Sequence, residues 1–521
     1  MRQVAPVLCF ALLSGCMVGP DYQRPPPASR PTPEFKETSG PVIGGAANFQ
    51  PAMPRDAIDR GPWWRMYGDP VLDRVAAQID ISNQTLMQAE AAYRQARALV
   101  RQDASGLYPT VSGNAGFTQS GSGSGGGGRS TQGGLVSTGT GSISQFTMGP
   151  SLSWEADLWG RIRRQIESDS AAAQASAADL ANARLSAQAN LAINYFSMRI
   201  AEQQIKLFQA SVAAFARSLQ IVQNQVDAGT ASRLDLAQAQ TQLEQTRAQL
   251  IGANINRATF EHAVAVLVGK APAEFSLEPG PPPPEVPTLD AGVPSTLLER
   301  RADIASAERL MASANAQIGV AVAAYYPSIS LGSSVTLVGS TFIALLQLGN
   351  AVWSVGPQLA ATLIDGGALK AQVEGARARY DSQVALYRQT ILTAFQQIED
   401  ALVQQRVLSQ QEQVQRAAVA AAREAERLSL NQYTQGTVAY TTVVTTQTAA
   451  LSAEQTLLSL RLSRLTTSAN LVLALGGGWR DTDLPAPTPI GGIDQTPQPA
   501  VPPRAGAQPA AASKPSWKFW Q

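Results

Sequence analysis

The sequence has few of the side chains on which most enzymes depend. Its 521 residues include one histidine, His262, and two cysteines, Cys9 and Cys16. His262 has apolar neighbours and no second histidine, cysteine or paired carboxylate motif beside it, which favours a packing or surface role over acid–base chemistry. The glycine-rich run at 121–128 lacks the Lys-Ser/Thr of a phosphate-binding loop. We therefore expect no enzyme, no nucleotide site, no metal site and no cofactor other than covalent lipid.

Charge and long apolar runs are also scarce. Charged residues make up 15% of the chain and the formal net charge is +1, which argues against nucleic acid as a partner. Beyond the N-terminus no stretch has the 18 or so consecutive apolar residues of a membrane helix, so any membrane crossing would have to use strands. Alanine and glutamine are abundant, which suits long helices packed through small side chains.

The N-terminus has the pattern of a secretory signal that ends in a lipoprotein cleavage site. Arg2 precedes an apolar stretch that is too short to span a bilayer and that ends in Leu-Ser-Gly-Cys at 13–16. This ending resembles a bacterial lipobox, which implies covalent lipid on Cys16 and, because Met17 is not aspartate, an outer-membrane location. The alternative is an ordinary signal peptide with an incidental cysteine. Cys9 would be removed with the signal peptide, and with Cys16 acylated no thiol would remain to form a disulfide.

Period-two patterns of apolar and small polar residues occur in two pairs, and each pair follows a Tyr-Pro, at Tyr108 and Tyr326. The apolar positions are Val111, Gly113, Ala115 and Phe117; Phe146, Met148, Pro150, Leu152 and Trp154; Ile329, Leu331, Val335 and Leu337; and Trp353, Val355, Pro357, Leu359 and Leu363. Such alternation is typical of barrel strands between lipid and water, although two hairpins of a soluble sheet would also show it. Four strands cannot close a transmembrane barrel, which takes about eight, so several chains would have to share one.

An internal duplication organises the rest of the chain. Matching residues recur 207 positions apart without a gap, among them Gly160 and Gly367, Gln165 and Gln372, Glu167 and Glu374, Gly229 and Gly436, and Gly269 and Gly476. No proline interrupts Arg161–Asp227 or Ala368–Thr434, and helices of that length would extend about 100 Å. Each half is therefore predicted to contain a β-hairpin, a very long helix, a glycine turn and a returning helix.

Four segments resemble those of the TolC-like outer membrane factors, in the lipoprotein branch that serves drug-efflux pumps. They are PWWRMYGDPVLDRV (62–75), SWEADLWGRIRR (153–164), PSTLLERRADIASAERLMASANAQIGVAVAAYYPSISL (294–331) and LIDGGALKAQV (363–373). The resemblance covers roughly residues 16–476. This chain departs from the family at Ala302, where proline is usual, and at Ile364, where phenylalanine is usual.

The resemblance implies both a fold and a function. The implied fold is mostly α with a small β part: a duplicated hairpin-plus-long-helix repeat in a homotrimer, with a shared 12-stranded transmembrane β-barrel and a long periplasmic α-helical tunnel. The implied function is the duct of a tripartite efflux pump, completed by a periplasmic adaptor and an inner-membrane pump of the RND type. The alternative is a lipid-anchored periplasmic coiled-coil scaffold without a pore.

The expected organisation of the chain has six parts. They are a lipoprotein signal peptide at 1–15, an N-terminal extended segment at 16–69, a first repeat at 70–277, a proline-rich linker at 278–294, a second repeat at 295–476 and a disordered Pro/Ala-rich tail at 477–521. Each repeat would hold a helix, a β-hairpin and a long helical hairpin.

Two glycines interrupt the long helical stretches. Gly229 and Gly436 are predicted to reverse the chain at the far end of each helical hairpin, in the left-handed conformation that glycine adopts without steric cost. Thr230, Ser232 and Thr437 are candidate caps of the returning helices. The resemblance further implies that these two tips form the surface on which the adaptor docks. The docking residues would be Ala228, Gly229, Thr230, Gln435, Gly436 and Thr437.

The first turns of the returning helices are the expected periplasmic gate. The resemblance assigns Asp235 a link to a neighbouring helix that constricts the tunnel, with Arg233 as its companion; the alternative for Asp235 is stabilisation of the helix dipole. In the second repeat, where many family members carry tunnel-facing carboxylates, this chain has threonines. They are Thr441, Thr442, Thr445 and Thr446. We therefore expect closure through packing, Tyr440 and hydrogen bonds, and a pore that resists block by polyvalent cations.

Overall fold

A computed structural model describes most of the chain. The described residues are 17–27, 35–38, 62–121, 142–283, 285–287, 300–345, 347–477, 479 and 483–486. The predicted signal peptide, the predicted lipidation site Cys16 and most of the C-terminal tail lie outside them. Within the described part the chain is mostly helical, with one small sheet.

The described elements follow the duplicated order. The helices are α1 (Pro70–Ala76), α2 (Ile79–Ser82), α3 (Gln84–Ala104), α4 (Arg161–Asp227), α5 (Arg233–Leu267), α6 (Ala302–Ala323), α7 (Phe342–Leu345), α8 (Ala368–Thr434) and α9 (Tyr440–Ala474). The strands are β1 (Thr110–Gly121), β2 (Ser142–Ala156), β3 (Ser328–Gly339) and β4 (Ala351–Ala360). Short 3₁₀ turns lie at Lys36–Thr38, Trp63–Tyr67, Ser105–Leu107, Pro272–Glu274 and Leu348–Asn350.

Two very long helices set the dimensions of the fold. Helices α4 and α8 contain 67 residues each and have the same bounds as the two long helices predicted from the sequence. The returning helices α5 and α9 contain 35 residues each. These equal lengths confirm the duplication. Helix α3 packs against α4, and α6 packs against both α4 and α8. None of the helices in the described ranges is both long enough and apolar enough to cross a membrane.

The four strands form one antiparallel sheet in the order β1-β2-β3-β4. Its register confirms the predicted alternation, because apolar residues of one strand lie opposite apolar residues of the next. Phe117 on β1, for example, lies opposite Phe146 on β2. On the other face, the Ser112 and Ser151 hydroxyl oxygens lie 2.9 Å apart. The prediction that β4 reaches Leu363 is wrong, since the strand ends at Ala360.

Strand β4 ends early because the chain turns towards the start of α8. There the Asp365 carboxylate accepts hydrogen bonds from the backbone N–H groups of Gly367, at 2.9 Å, and Leu369, at 2.7 Å. These bonds satisfy amides that the first turn of a helix leaves without intrahelical acceptors. They also hold the pKa of Asp365 below its usual range.

The largest apolar core lies partway along α4 and is built around the aromatic residues that precede α1. Trp63, Trp64 and Tyr67 are all buried. The rings of Tyr67 and Phe196 meet edge to face at 4.8 Å, a favoured aromatic geometry. The Tyr67 hydroxyl lies 2.6 Å from the Ser468 hydroxyl of α9. The segment before the first repeat thereby joins α4 to α9.

A buried ion cluster fixes the start of the proline-rich linker. Arg199 and Arg257 both pair with Glu202, at 2.9 and 3.2 Å. Arg199 also donates to the carbonyl of Glu278, at 2.8 Å, and Glu202 accepts from the N–H of Gly280, at 3.0 Å. Buried charges are tolerated when they are paired and hydrogen-bonded in this way. The linker therefore begins on a defined site of α4.

A pair of carboxyl groups between α3 and α4 makes stability depend on pH. Asp169 is buried, hydrogen-bonds with Asp103, and accepts from the Gln165 amide at 3.0 Å. Burial above all, and then Asp103, raises the pKa of Asp169 to about 7. Because the folded-state pKa is raised, this group's stabilising contribution is present at low pH and is lost as pH rises towards 7.

Asp169→Asn is therefore expected to flatten the pH dependence of stability, since asparagine keeps the neutral form at every pH. Thermal unfolding of the purified protein, followed by tryptophan fluorescence, should show the variant more stable than wild type at pH 8 and similar at about pH 3.5, below the unfolded-state pKa of an aspartate. Asp179→Asn, at an exposed position of the same helix, is the matched control. Equal shifts in both variants would contradict a special role for Asp169.

Candidate functional site

The far ends of the two helical hairpins have the same backbone geometry. Gly229 has φ 74° and Gly436 has φ 75°, as predicted for left-handed reversals. The N–H of Gly229 donates to Val226 O at 3.0 Å, and that of Thr230 to Gln225 O at 2.8 Å. This pair of bonds is the Schellman arrangement, which satisfies the last carbonyls of a helix. Gly436 and Thr437 donate in the same way to Tyr433 and Gln432.

The surface of each tip is open. All six predicted docking residues are exposed: Ala228, Gly229, Thr230, Gln435, Gly436 and Thr437. A Cβ atom added to Gly229 or Gly436 would meet nothing within 4 Å. Neither glycine is therefore needed for close packing within the chain. Their structural requirement is the positive φ alone.

The caps of the returning helices differ from the prediction at both threonines. The hydroxyls of Thr230 and Thr437 donate backwards, to the carbonyls of Gln225 and Gln432, at 3.1 and 3.0 Å. They thus bond to the last turns of α4 and α8, where free carbonyls remain. Helix α9 follows Ala439, which provides no side-chain cap.

Only the Ser232 part of the capping prediction is confirmed. Ser232 precedes α5, and its Oγ accepts from the N–H of Asp235 at 3.1 Å, while the Asp235 carboxylate accepts from the N–H of Ser232 at 3.1 Å. The two residues form a capping box. The Ser-x-x-Asp spacing before α5 is a sequence signal from which this box could have been predicted.

A compact apolar cluster lies directly behind the tips and draws on all four long helices. It comprises Val222 of α4, Ala239 of α5, Tyr433 of α8, and Tyr440 and Val443 of α9. The rings of Tyr433 and Tyr440 lie 5.1 Å apart. The cluster joins the first helical hairpin to the second. Tyr433 was not among the predicted gate residues, although it lies three residues before Gly436 and Tyr440 lies four residues after it.

The side chain of Tyr440 is only 2% exposed, so within the chain it packs inside this cluster rather than on an open surface. Burial, then Tyr433 and then Asp235, raises the pKa of Tyr440 to about 12. Burial and the Asp235 charge also raise the pKa of Tyr433. The electrostatic influence of Asp235 therefore reaches the cluster that joins the hairpins, even though its hydrogen bonds within the chain are to Ser232.

The remaining predicted gate residues occupy different environments. Arg233, Thr441, Thr442 and Thr445 are exposed, whereas Thr446 is half-buried. The Thr446 hydroxyl lies 2.6 Å from the Ser429 hydroxyl of α8. The Thr445 hydroxyl donates to Thr441 O at 2.8 Å. All these hydroxyls are uncharged, so this part of the tip offers no carboxylate to a cation.

The described residues contain no group of three or more His, Cys, Asp or Glu side chains that could hold a metal ion. The tips consist of two exposed reversals above a buried aromatic cluster, with the Asp235 carboxylate close to that cluster.

Comparison with known proteins agrees with this architecture. A sequence model for outer membrane efflux proteins matches residues 75–270 and 293–477. The probable efflux pump outer membrane protein TtgC of Pseudomonas putida is 31% identical over 479 residues, which cover 90% of this chain and 94% of TtgC. The cation efflux system protein CusC of Escherichia coli is 28% identical, with 91% of this chain and 98% of CusC covered.

A solved structure shows the same fold. The Neisseria gonorrhoeae MtrE outer membrane channel in its open state superposes with a TM-score of 0.73 and 28% identity, over 89% of this chain and 99% of MtrE. These matches extend across both repeats. The chain belongs to the outer membrane efflux protein family, and it is an outer-membrane channel component of an efflux system.

Proposed function

We propose that three copies of this chain close one 12-stranded barrel in the outer membrane and continue it as a helical tunnel through the periplasm. The duct has no catalytic role and passively exports drugs or other small toxic compounds. A periplasmic adaptor and an inner-membrane pump of the RND type deliver them. The observation that carries this proposal is the four-stranded sheet, in which one side of β1 and one side of β4 lack a strand partner among the described residues. Unpaired backbone groups cannot face lipid.

The duplication specifies which strand should cover each free edge. Strands β2 and β4 are equivalent in the repeat, as are β1 and β3. Because β2 pairs with β3 within the chain, β4 should pair with β1 of the next copy. A Cβ atom added at Gly149 on β2 would clash with the carbonyl oxygen of Val335, whereas none of the described atoms lies within 4 Å of a Cβ atom added at Gly356 on β4. The space beside Gly356 is therefore free for strand β1 of the next copy.

Cysteine crosslinking tests this pairing. Ser151 on β2 lies opposite Ser334 on β3, and the repeat transfers this pair to Gln358 on β4 and Gly116 on the next copy's β1. Cβ atoms of opposed antiparallel residues lie about 4.5–5.5 Å apart, close enough for small shifts to allow a disulfide. We expect the double variant Gln358→Cys/Gly116→Cys, after mild oxidation, to give a covalent ladder in denaturing gels that ends at the trimer.

Two variants control this experiment. Ser151→Cys/Ser334→Cys should oxidise within each chain and give no ladder. Gln358→Cys/Ser112→Cys, on the same face but out of register, should stay monomeric. If the in-register pair gives no ladder while the control within the chain oxidises, the shared barrel is wrong and the pore-free scaffold is favoured.

The lipid on Cys16 belongs to the same proposal. The N–H of Val18 donates to Trp159 O at 3.1 Å, and the Trp159 indole donates to Pro327 O, just before β3, at 2.8 Å. The described chain therefore begins where the sheet meets the long helices. A lipid two residues earlier would enter the membrane at the periplasmic end of the barrel. Radiolabelled palmitate that is retained by wild type and lost in Cys16→Ala would test the anchor.

The cargo is not fixed by family membership, since one relative is named for a cation efflux system. A susceptibility profile of a deletion strain, covering drugs, solvents and metal ions, identifies it. Restoration of the lost resistances by the plasmid-borne gene is the required control.

A further inference from the structure

A cavity of about 400 Å³ lies beside the proline-rich linker, far from the helix tips. Its walls come from α4, α8, α9 and the linker. Cavities of roughly 300 Å³ and above are large enough for small organic ligands. The duct proposal assigns it no role.

One wall of the cavity carries three arginines and one buried glutamate. Arg416, Arg461 and Arg464 all bind the carboxylate of Glu412, which is 3% exposed. Burial raises the pKa of Glu412, but the hydrogen bonds and charges of Arg464 and Arg416 more than offset this, so that its pKa lies below the usual range. The carboxylate is thus ionised at neutral pH, and it neutralises one of the three guanidinium charges.

The rest of the wall leaves positive charge in excess. Among the described residues that line the cavity, the one other acidic residue is Glu285, whose charge acts on Arg416. Even if both carboxylates are counted, three guanidinium groups leave a net positive charge. Arginine is also the side chain best suited to bind carboxylate or phosphate, because its planar fork donates two parallel hydrogen bonds.

Two buried donors on residues that line the cavity have no acceptor among the described residues. They are Nε of Arg464 and Nε2 of Gln203. A buried donor without an acceptor costs free energy. A small shift of either side chain would expose its donor to an anion in the cavity, which would then supply the missing acceptor atom.

The linker side of the cavity is apolar. Pro282, Pro283 and Val286 line it there, and Ile200 of α4 and Leu458 of α9 add further apolar surface. An inorganic ion would leave these side chains without a contact. A carboxylate on an apolar body would satisfy both walls.

We propose that this cavity is a binding site for a small organic carboxylate, with the arginine wall binding the carboxylate group and the linker wall covering the apolar body. Glu412 pairs with the guanidinium groups when the site is empty and thereby stabilises the fold there. A bound ligand has to compete with Glu412 for these groups. Arg464 makes the decisive contact, because it combines a charge with an unused buried donor.

Calorimetric titration of the full-length protein in nanodiscs tests the site, with benzoate as the carboxylate, benzyl alcohol as its neutral counterpart and inorganic phosphate as the simple anion. We expect benzoate to bind once per chain and benzyl alcohol not to bind. Arg464→Gln should weaken benzoate binding by about tenfold or more, as loss of a charge-assisted hydrogen bond predicts. Glu412→Gln should strengthen it, because the guanidinium groups lose their internal competitor.

Arg427→Gln is the matched control. Arg427 lies on the same helix as Arg416, pairs with exposed Glu424 and lies outside the cavity, so benzoate affinity should not change. Equal binding of benzoate and benzyl alcohol, binding of phosphate alone, or unchanged affinity in a folded Arg464→Gln protein would overturn the proposal. If Arg464→Gln fails to fold, Glu412→Gln decides alone, since weaker or unchanged binding there contradicts the competition.

Discussion

Replacing both Gly229 and Gly436 with tryptophan is expected to reduce drug resistance to the level of the deletion strain while leaving trimers in the outer membrane. Both glycines are exposed, and a Cβ atom added at either position would have none of the described atoms around it within 4 Å. The fold should therefore accept the bulk, at a backbone cost of about 1–2 kcal/mol for each positive φ. If the tips dock an adaptor, the bulk blocks it. Minimal inhibitory concentrations and adaptor crosslinking are the measurements.

Three variants separate bulk from backbone strain. The double alanine variant strains the backbone with little bulk, and the double asparagine variant adds a side chain that tolerates the left-handed conformation. Gly68→Trp places the same bulk at a glycine with φ 65° that also has nothing within 4 Å, away from the tips. We expect loss of efflux to follow bulk at the tips only. Normal crosslinking and resistance in the double tryptophan variant would refute the docking role.

Periodicity and proline placement were sufficient to predict the main elements of the fold. The length of α4 and α8 agrees with the absence of proline from these stretches, because a proline inside a helix removes a hydrogen bond and clashes with the preceding turn. The two reversals at Gly229 and Gly436 follow from glycine's freedom at positive φ. The 207-residue repeat then allowed the positions of the helices in the second half to be predicted from those in the first. All of these signals are local in sequence.

Contacts between distant segments could not be predicted in this way. The cluster of Tyr433, Tyr440 and Val222 joins residues from both halves, and no local pattern shows which face of each helix meets the other. The reach of Thr230 back to Gln225 was missed because a threonine next to a helix end can bond in either direction. The three arginines around Glu412 come from two helices, and only their packing brings them together.

Asp235→Ala is expected to raise single-channel conductance in planar bilayers and to admit large antibiotics such as vancomycin into otherwise resistant cells. Asp235 stands in the first turn of α5, and its charge reaches Tyr433 and Tyr440 of the cluster that joins the two hairpins. We propose that in the trimer this carboxylate also links to a neighbouring helix and keeps the tunnel narrow. Removing it would loosen the tip and allow the hairpins to separate.

Ser232→Ala separates this gate role from helix capping. Both substitutions break the same capping box, at a cost of about 1 kcal/mol each, but only Asp235→Ala removes a charge. Conductance and vancomycin entry should therefore rise in Asp235→Ala and stay near wild type in Ser232→Ala.

The threonines at 441, 442, 445 and 446 carry no charge, so submillimolar trivalent cations on the periplasmic side should leave the wild-type current unchanged. Wild-type conductance in Asp235→Ala, or an equal rise in Ser232→Ala, would contradict the gate role of this carboxylate, and block by those cations would contradict an uncharged threonine lining.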